Sequence, residues 1–170
     1  TTIVDFKEAV SSELTPYASA ILTDPEYGLP ATKVRDKNCG LLLSYEKTGY
    51  DTTEPGRMCD LIADQSALRI KNDGADAVKF LLYYDPDESD EINYKKKAFV
   101  ERVGAETKVN GLPFFLELLT YDGKIDDAKG EEYAKVKPEK VFKTMEEFSK
   151  PQYDVTVLKV EMPFNIKFVE

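Results

Sequence analysis

Four runs of almost unbroken apolar character punctuate this chain: "GLLLSY" at residues 40–45, "DAVKFLLYYD" at 76–85, "LPFFLELLTYD" at 112–122 and "VTVLKVEMP" at 155–163. They are rich in β-branched, aromatic and leucine side chains, and none alternates strictly between apolar and polar positions. A strand with one wet face alternates; a strand covered on both faces does not, and such covering is typical of a parallel sheet flanked by helices. A shorter strand over Ala20–Thr23 precedes them, so strand beginnings near Ala20, Gly40, Ala77, Pro113 and Val155 recur at intervals that admit one helix each, without any sequence repeat. That series suits either a doubly wound sheet or part of a (β/α)8 barrel. No glycine-rich phosphate loop follows any strand, and "GLPATK" is too loose to count, so the dinucleotide-binding version of the first loses its main support.

The segments between the runs carry helical signals of unequal strength. In "VDFKEAVSSEL", Val4, Ala9, Val10 and Leu14 fall close to a 3.6 period, predicting an amphipathic helix that ends near Pro16. The stretch "DPEYGLPAT" reads as a loop and "EKTGYDTTEPGR" as turn-rich. Residues 59–72 are expected to be helical, closed by Gly74 in a C-cap position. "DEINYKKKAFVERV" places Ile92, Phe99, Val100 and Val103 on one helical face, and Pro138 suits a first helical position ahead of the stripe Val141, Phe142, Met145 and Phe148. Charges in "YKKKAF" and "MEEF" are expected to be ordinary solvated residues.

Length and charge narrow the class. At 170 residues and 42% hydrophobic composition, the chain is expected to form a single domain over residues 1–170. With 32 acidic residues against 23 basic ones, its net charge of −9 repels nucleic-acid phosphates and anionic lipid, so neither nucleic acid nor membrane is an expected partner. Any anionic ligand must be held by a few local cations. Cys39 and Cys59 lie 20 apart and histidine is absent, which indicates no zinc site, no disulfide framework and a reducing, cytoplasmic setting. The opening "TTIVDFKEAV" lacks the basic and apolar regions of a leader, and "AVKFLLYY" is too short and too charged to span a bilayer. A homo-oligomer is compatible with all of this.

Three of the apolar runs contain one charge each: Lys79 in "AVKFLL", Glu117 in "FFLELL" and Lys159 in "VLKVEM". An isolated charge in a covered strand is costly unless paired, so the three are expected to meet. One reading is a buried ion-pair cluster that holds the sheet together; the other is a reaction centre. In the second, desolvation and a neighbouring cation disfavour a lysine's ammonium form and free its lone pair to attack a ketone. The carboxylate then shuttles protons while the carbinolamine loses water, and the resulting iminium is an electron sink that lets a carbon–carbon bond break without a metal ion.

The runs "LTDPEYGLPAT", "LLLSYEKTGYDTT", "GADAVKFLLYYD", "PFFLELLTYD", "EYAKVKP" and "VLKVEMPFNIKFVE" together resemble the class I, Schiff-base tagatose 1,6-bisphosphate aldolase family of the bacterial lactose and galactose tagatose-6-phosphate pathway, along essentially the whole chain. The resemblance implies a (β/α)8 TIM barrel of which this chain supplies about strand 2 to strand 6. It implies a Schiff-base lysine at Lys159, an acid/base carboxylate at Glu117 and a substrate-polarising cation at Lys79, with no cofactor and a small sugar bisphosphate as partner. The family's "DQRG" aspartate and its phosphate-holding groups after strands seven and eight have no counterpart here, so the likeness is to the central part of such an enzyme. Asp24, ending the first strand, and Glu161, two residues past Lys159, are further candidates for lining the site, with helix N-capping as the alternative. The expected reaction is cleavage of D-tagatose 1,6-bisphosphate to dihydroxyacetone phosphate and D-glyceraldehyde 3-phosphate. The alternatives are a non-catalytic sugar-phosphate-binding or regulatory protein on the same scaffold, and a ketose-bisphosphate aldolase of different stereochemistry.

Overall fold

The computed structural model describes residues 2–50 and 53–168; Asp51 and Thr52 of the turn-rich stretch, Thr1, Val169 and Glu170 lie outside the described residues. Strands β1 (Ala20–Thr23), β2 (Gly40–Ser44), β3 (Ala77–Tyr84), β4 (Phe114–Thr120) and β5 (Val157–Val160) form one sheet in which every pair is parallel. Spatial order follows chain order from β1 to β5. A doubly wound sheet reverses direction at a switch point, and this one does not. Of the two architectures, the arc of a (β/α) barrel is therefore the one adopted.

Parallel crossovers of one hand that always advance the same way put their helices on one side of the sheet. The core forms there: Leu41, Leu43, Val78, Phe80, Leu82, Phe114, Leu116 and Leu118 pack with Ile70, Val100, Val103 and Phe148. Residues of the other parity, Ser44, Lys79, Leu81, Tyr83, Phe115, Glu117, Leu119 and Lys159, share the opposite face. Covering on both faces, expected from the unbroken apolar runs, holds at the central strand β3, largely buried in both parities, and not at the edge strands β1 and β5. The helices cover one face, and the edge strands keep exposed residues at Leu22, Val157 and Val160. The runs look unbroken because the inward parity is also largely apolar, as barrel interiors are.

The helices agree with the sequence where their caps are strong. Helix α1 (Ile3–Leu14) opens on a reciprocal capping box, with Asp5 N–H donating to Thr2 Oγ1 at 3.1 Å and Thr2 N–H donating to Asp5 Oδ2 at 2.8 Å, and it ends just before Pro16. Helix α2 (Pro25–Val34) replaces the expected loop. Pro25 takes the first position, where its missing N–H costs nothing, and Gly28 is there because a Cβ would stand 1.9 Å from Thr23 Oγ1. Helix α3 (Ala67–Asn72) begins at the Ser66 cap and not at Cys59, because Asp60 and Ile62 are engaged elsewhere: Lys47 N–H donates to the Asp60 carbonyl at 2.8 Å and Ile62 N–H to the Tyr45 carbonyl at 3.1 Å. Gly74 closes it at φ +89° as expected.

Helix α4 (Asp90–Val109) buries Val100 and Val103 with Ile92 and Phe99 half-buried beside them. Helix α5 (Glu131–Phe148) starts well before Pro138, which lies inside it; Val141 and Phe148 are buried, whereas Phe142 and Met145 are exposed. The charges assigned to solvent also need correcting. Lys96 of "YKKKAF" is fully buried, donating to the Tyr83 carbonyl at 2.8 Å and the Tyr121 hydroxyl at 3.1 Å. Glu147 of "MEEF" accepts from the Tyr153 hydroxyl at 2.5 Å and pairs with Lys150 at 2.5 Å.

Candidate active site

Strand register decides which side chains meet. Glu117 stands level with Lys159 on β5 and with Leu81 on β3, two positions along from Lys79. Neighbouring strands are about 4.8 Å apart, so long side chains of one parity and nearly one level reach each other across a strand. Glu117 Oε2 lies 2.9 Å from Lys79 Nζ, and Glu117 Oε1 accepts a hydrogen bond from Lys159 Nζ. The structure thus brings together all three charges singled out in the sequence. It adds a fourth: Lys79 Nζ also donates to Glu46 Oε1. The result is a line of alternating charge, Glu46, Lys79, Glu117, Lys159.

Glu46 escaped notice because it lies in a turn-rich segment. The signal was present, since Leu42, Ser44 and Glu46 continue one parity of β2 past its end. An antiparallel bridge between Glu46 and Leu61 holds the backbone there.

Exposure differs sharply along the line. The Lys79, Glu46 and Glu117 side chains are 8%, 13% and 14% exposed, and Lys159 is 54% exposed. Lys159 is thus the exposed member of the line, on β5, the last strand of the described sheet. Burial alone pushes the Glu117 carboxyl up, but hydrogen bonds from Lys159 and Lys79 outweigh it and hold the group below the usual glutamate range. At Glu46 burial wins over the pull of Lys79, and the carboxyl is raised. Two carboxylates sharing one lysine are thus pushed in opposite directions, Glu117 by its two lysine hydrogen bonds and Glu46 by its burial. Beside them stands an approachable amine. Such a set can take a proton from an ammonium and return it to a leaving hydroxyl.

The two secondary candidates separate. Asp24 caps α2, accepting from Tyr27 N–H at 2.7 Å, and pairs with Lys7. It also borders, with Ser44, Glu46 and Lys79, a pocket of 290 Å³. Glu161 accepts from both Thr120 N–H and Thr120 Oγ1 at 2.7 Å and pairs with Lys137 at 2.6 Å, so it clamps the ends of β4 and β5 to α5. Neither a helix cap nor a partner of Lys159, it is a structural tie.

Arg57, from the segment between β2 and α3, reaches the aromatic rings near the ends of β3 and β4. Arg57 sits 4.6 Å from the Tyr121 ring centroid and 5.8 Å from that of Tyr83, which shares the Glu117 face. Among the described residues, no group of three or more histidine, cysteine, aspartate or glutamate side chains is arranged to hold a metal ion, and no helix is long and apolar enough to cross a membrane.

Residues 1–169 match the family described as DeoC/LacD family aldolase. Tagatose 1,6-diphosphate aldolase 2 of Enterococcus faecalis is 66% identical over 168 residues, covering 99% of this chain and 51% of the relative. Tagatose 1,6-diphosphate aldolase of Listeria monocytogenes is 62% identical over 168 residues, covering 99% and 50%. The chain spans about half the length of the curated relatives it matches. A crystal structure of an archaeal fructose 1,6-bisphosphate aldolase aligns with a TM-score of 0.58 at 14% identity, over 97% of this chain and 55% of that one, a likeness of fold.

Proposed function

Because this chain belongs to the DeoC/LacD family of aldolases, we propose that the protein containing it is a class I aldolase. It cleaves D-tagatose 1,6-bisphosphate to dihydroxyacetone phosphate and D-glyceraldehyde 3-phosphate through a Schiff base on Lys159. The observation that carries this reading is the Glu117 carboxylate bonded to Lys159 and Lys79 at once. Strands β1 to β5 correspond in this reading to the second to sixth strands of the barrel, and the free thiols Cys39 and Cys59 suit a cytoplasmic setting.

The chemistry follows from the contacts. Glu117 takes a proton from the Lys159 ammonium, leaving an amine whose lone pair attacks the substrate's ketone carbon; the carbonyl π pair moves to oxygen, and a proton passes from the attacking nitrogen to that oxygen to give the neutral carbinolamine. Glu117, now a carboxylic acid, protonates that hydroxyl, water leaves and the nitrogen lone pair forms the iminium. Glu117, a carboxylate again, takes the proton of the C4 hydroxyl, the C3–C4 bond breaks with its electron pair flowing into the iminium to give an enamine, and the aldehyde departs; protonation of the enamine at C3 and hydrolysis of the resulting iminium by water release dihydroxyacetone phosphate and the Lys159 amine. Lys79, held in place by two carboxylates, supplies positive charge beside the substrate's hydroxyls.

Borohydride reduction of the full-length protein with dihydroxyacetone phosphate, followed by peptide mass spectrometry, tests the assignment. The expected adduct is on Lys159, and Lys159→Met abolishes both adduct and turnover. An adduct on another lysine, or none, sinks the proposal.

A further inference from the structure

Glu46 has no role in the mechanism above, yet it is built into the same line of charge. It comes from just past β2, its Oε1 bonds Lys79, and its Oε2 is buried with no hydrogen-bond partner among the described residues. A buried polar atom left unsatisfied in a native structure calls for an explanation. Its backbone is pinned by the bridge to Leu61 and by the neighbouring Lys47-to-Asp60 hydrogen bond, so the carboxyl is held in place and not draped there.

The charges of the line account for a carboxyl being held beside Lys79. At rest, Glu46 and Glu117 are two anions facing Lys79 and Lys159, two cations. When the proton moves from Lys159 to Glu117, both become neutral, and Lys79 stays charged in a site where its side chain is 8% exposed. Without Glu46 that ammonium would be a buried cation lacking a counter-ion, an arrangement that strongly opposes the transfer. We propose that Glu46 is a positioning residue for the aldol centre: it keeps the Lys79 ammonium between two carboxylates, so that Lys79 remains paired while Glu117 carries the proton released by Lys159. The inference rests on the aldolase reading for its consequence in turnover, but the pairing itself is independent of it.

A second effect runs the same way. While Lys79 is shared, Glu117 receives only part of its pull; with Glu46 neutralised, Lys79 acts on Glu117 alone and holds its carboxyl lower. The groups facing Glu46 are Lys79 and the Leu81 backbone from β3, Glu117 from β4 beyond it, Lys47, Tyr50, Cys59 and Tyr83 around one shared pocket, and Lys7 and Asp24 across the other.

The test compares wild type, Glu46→Gln and Glu46→Asp in the full-length protein. Glu46→Gln is expected to lower kcat roughly tenfold or more with little change in KM, as a group acting on proton transfer does. The acidic limb of its kcat/KM profile moves to lower pH, and Glu46→Asp restores part of both. Carbon NMR of the Glu117 carboxyl gives the same answer without turnover: its titration moves to lower pH in Glu46→Gln. A limb and a Glu117 titration that stay where wild type has them, or a loss confined to KM or to the melting midpoint, overturn the inference. Failure of wild type to trap on Lys159 strikes the aldolase reading and leaves the NMR shift to judge Glu46.

Discussion

Three buried lysines show that partners, more than burial, decide how a lysine behaves. Lys79 is held by Glu46 and Glu117, and Lys140 by Asp85, Asp87 and Asp122 at 2.5, 2.9 and 3.1 Å. Although burial opposes its charge, the carboxylate hydrogen bonds raise the Lys140 pKa above the ordinary lysine value. Lys96 has no carboxylate within ion-pair distance among the described residues, only a carbonyl, a hydroxyl and the Tyr84 and Tyr121 rings. Burial pushes it down from 10.5 to about 8. Above that value the folded protein sheds the Lys96 proton while the unfolded chain keeps it, so the unfolded state binds more protons and stability rises with pH. Between pH 8 and pH 10 Lys96 is expected to add up to roughly 2 kcal/mol of stability, a rise that Lys96→Met removes. Denaturant midpoints of the two proteins across that interval measure it. Above pH 10 the raised Tyr84 and Tyr121 pKa values reverse the trend, since those hydroxyls then ionise in the unfolded chain first.

Elements pack as closely as their smallest residues allow. Gly104 of α4 lies against the backbone of the Pro151–Tyr153 turn that leads into β5: a Cβ there would stand 2.0 Å from the Tyr153 carbonyl oxygen. Gly104→Ala is therefore expected to destabilise the protein by about 1–3 kcal/mol, read as a lower urea midpoint, by forcing that turn away from the helix. The same close packing explains what sequence could and could not show. Strands were legible because their apolar runs are a direct image of burial. Helix α2 was not, because Gly28 and Pro30 look like breakers; one is required by the approach to Thr23, and the other is simply carried within the helix. The late start of α3 depended on Asp60 and Ile62 bonding back to the residues after β2, a long-range event without a local sign. Lys79, Glu117 and Lys159 stood out because each interrupts a strand. Glu46 did not, since it interrupts nothing, and its meeting with Lys79 follows from the pairing of β2 with β3, which no single strand reveals.

For the molecule as a whole, acid is the exposed flank. Glu117, Asp122, Asp87 and Glu147 all have carboxyls held below their ordinary values; burial opposes this at each, and hydrogen bonds from lysines, the Lys124 N–H and the Tyr153 hydroxyl outweigh it. A depressed carboxyl contributes its stability in full above its unfolded value, 4.5 for glutamate and 3.8 for aspartate, and loses it as pH falls through the folded value. The melting midpoint is thus expected to be nearly flat near neutrality and to drop steeply below about pH 4.5, which thermal unfolding followed by circular dichroism checks. A midpoint unchanged at pH 3.5 would contradict these pairings. The order of the strands has one more consequence, and it concerns time. Each described strand pairs with its neighbours in the chain, so a chain leaving the ribosome finds the docking edge for its next strand already made. Assembly of these five strands can run as a ratchet, one βα unit after another in the direction of synthesis.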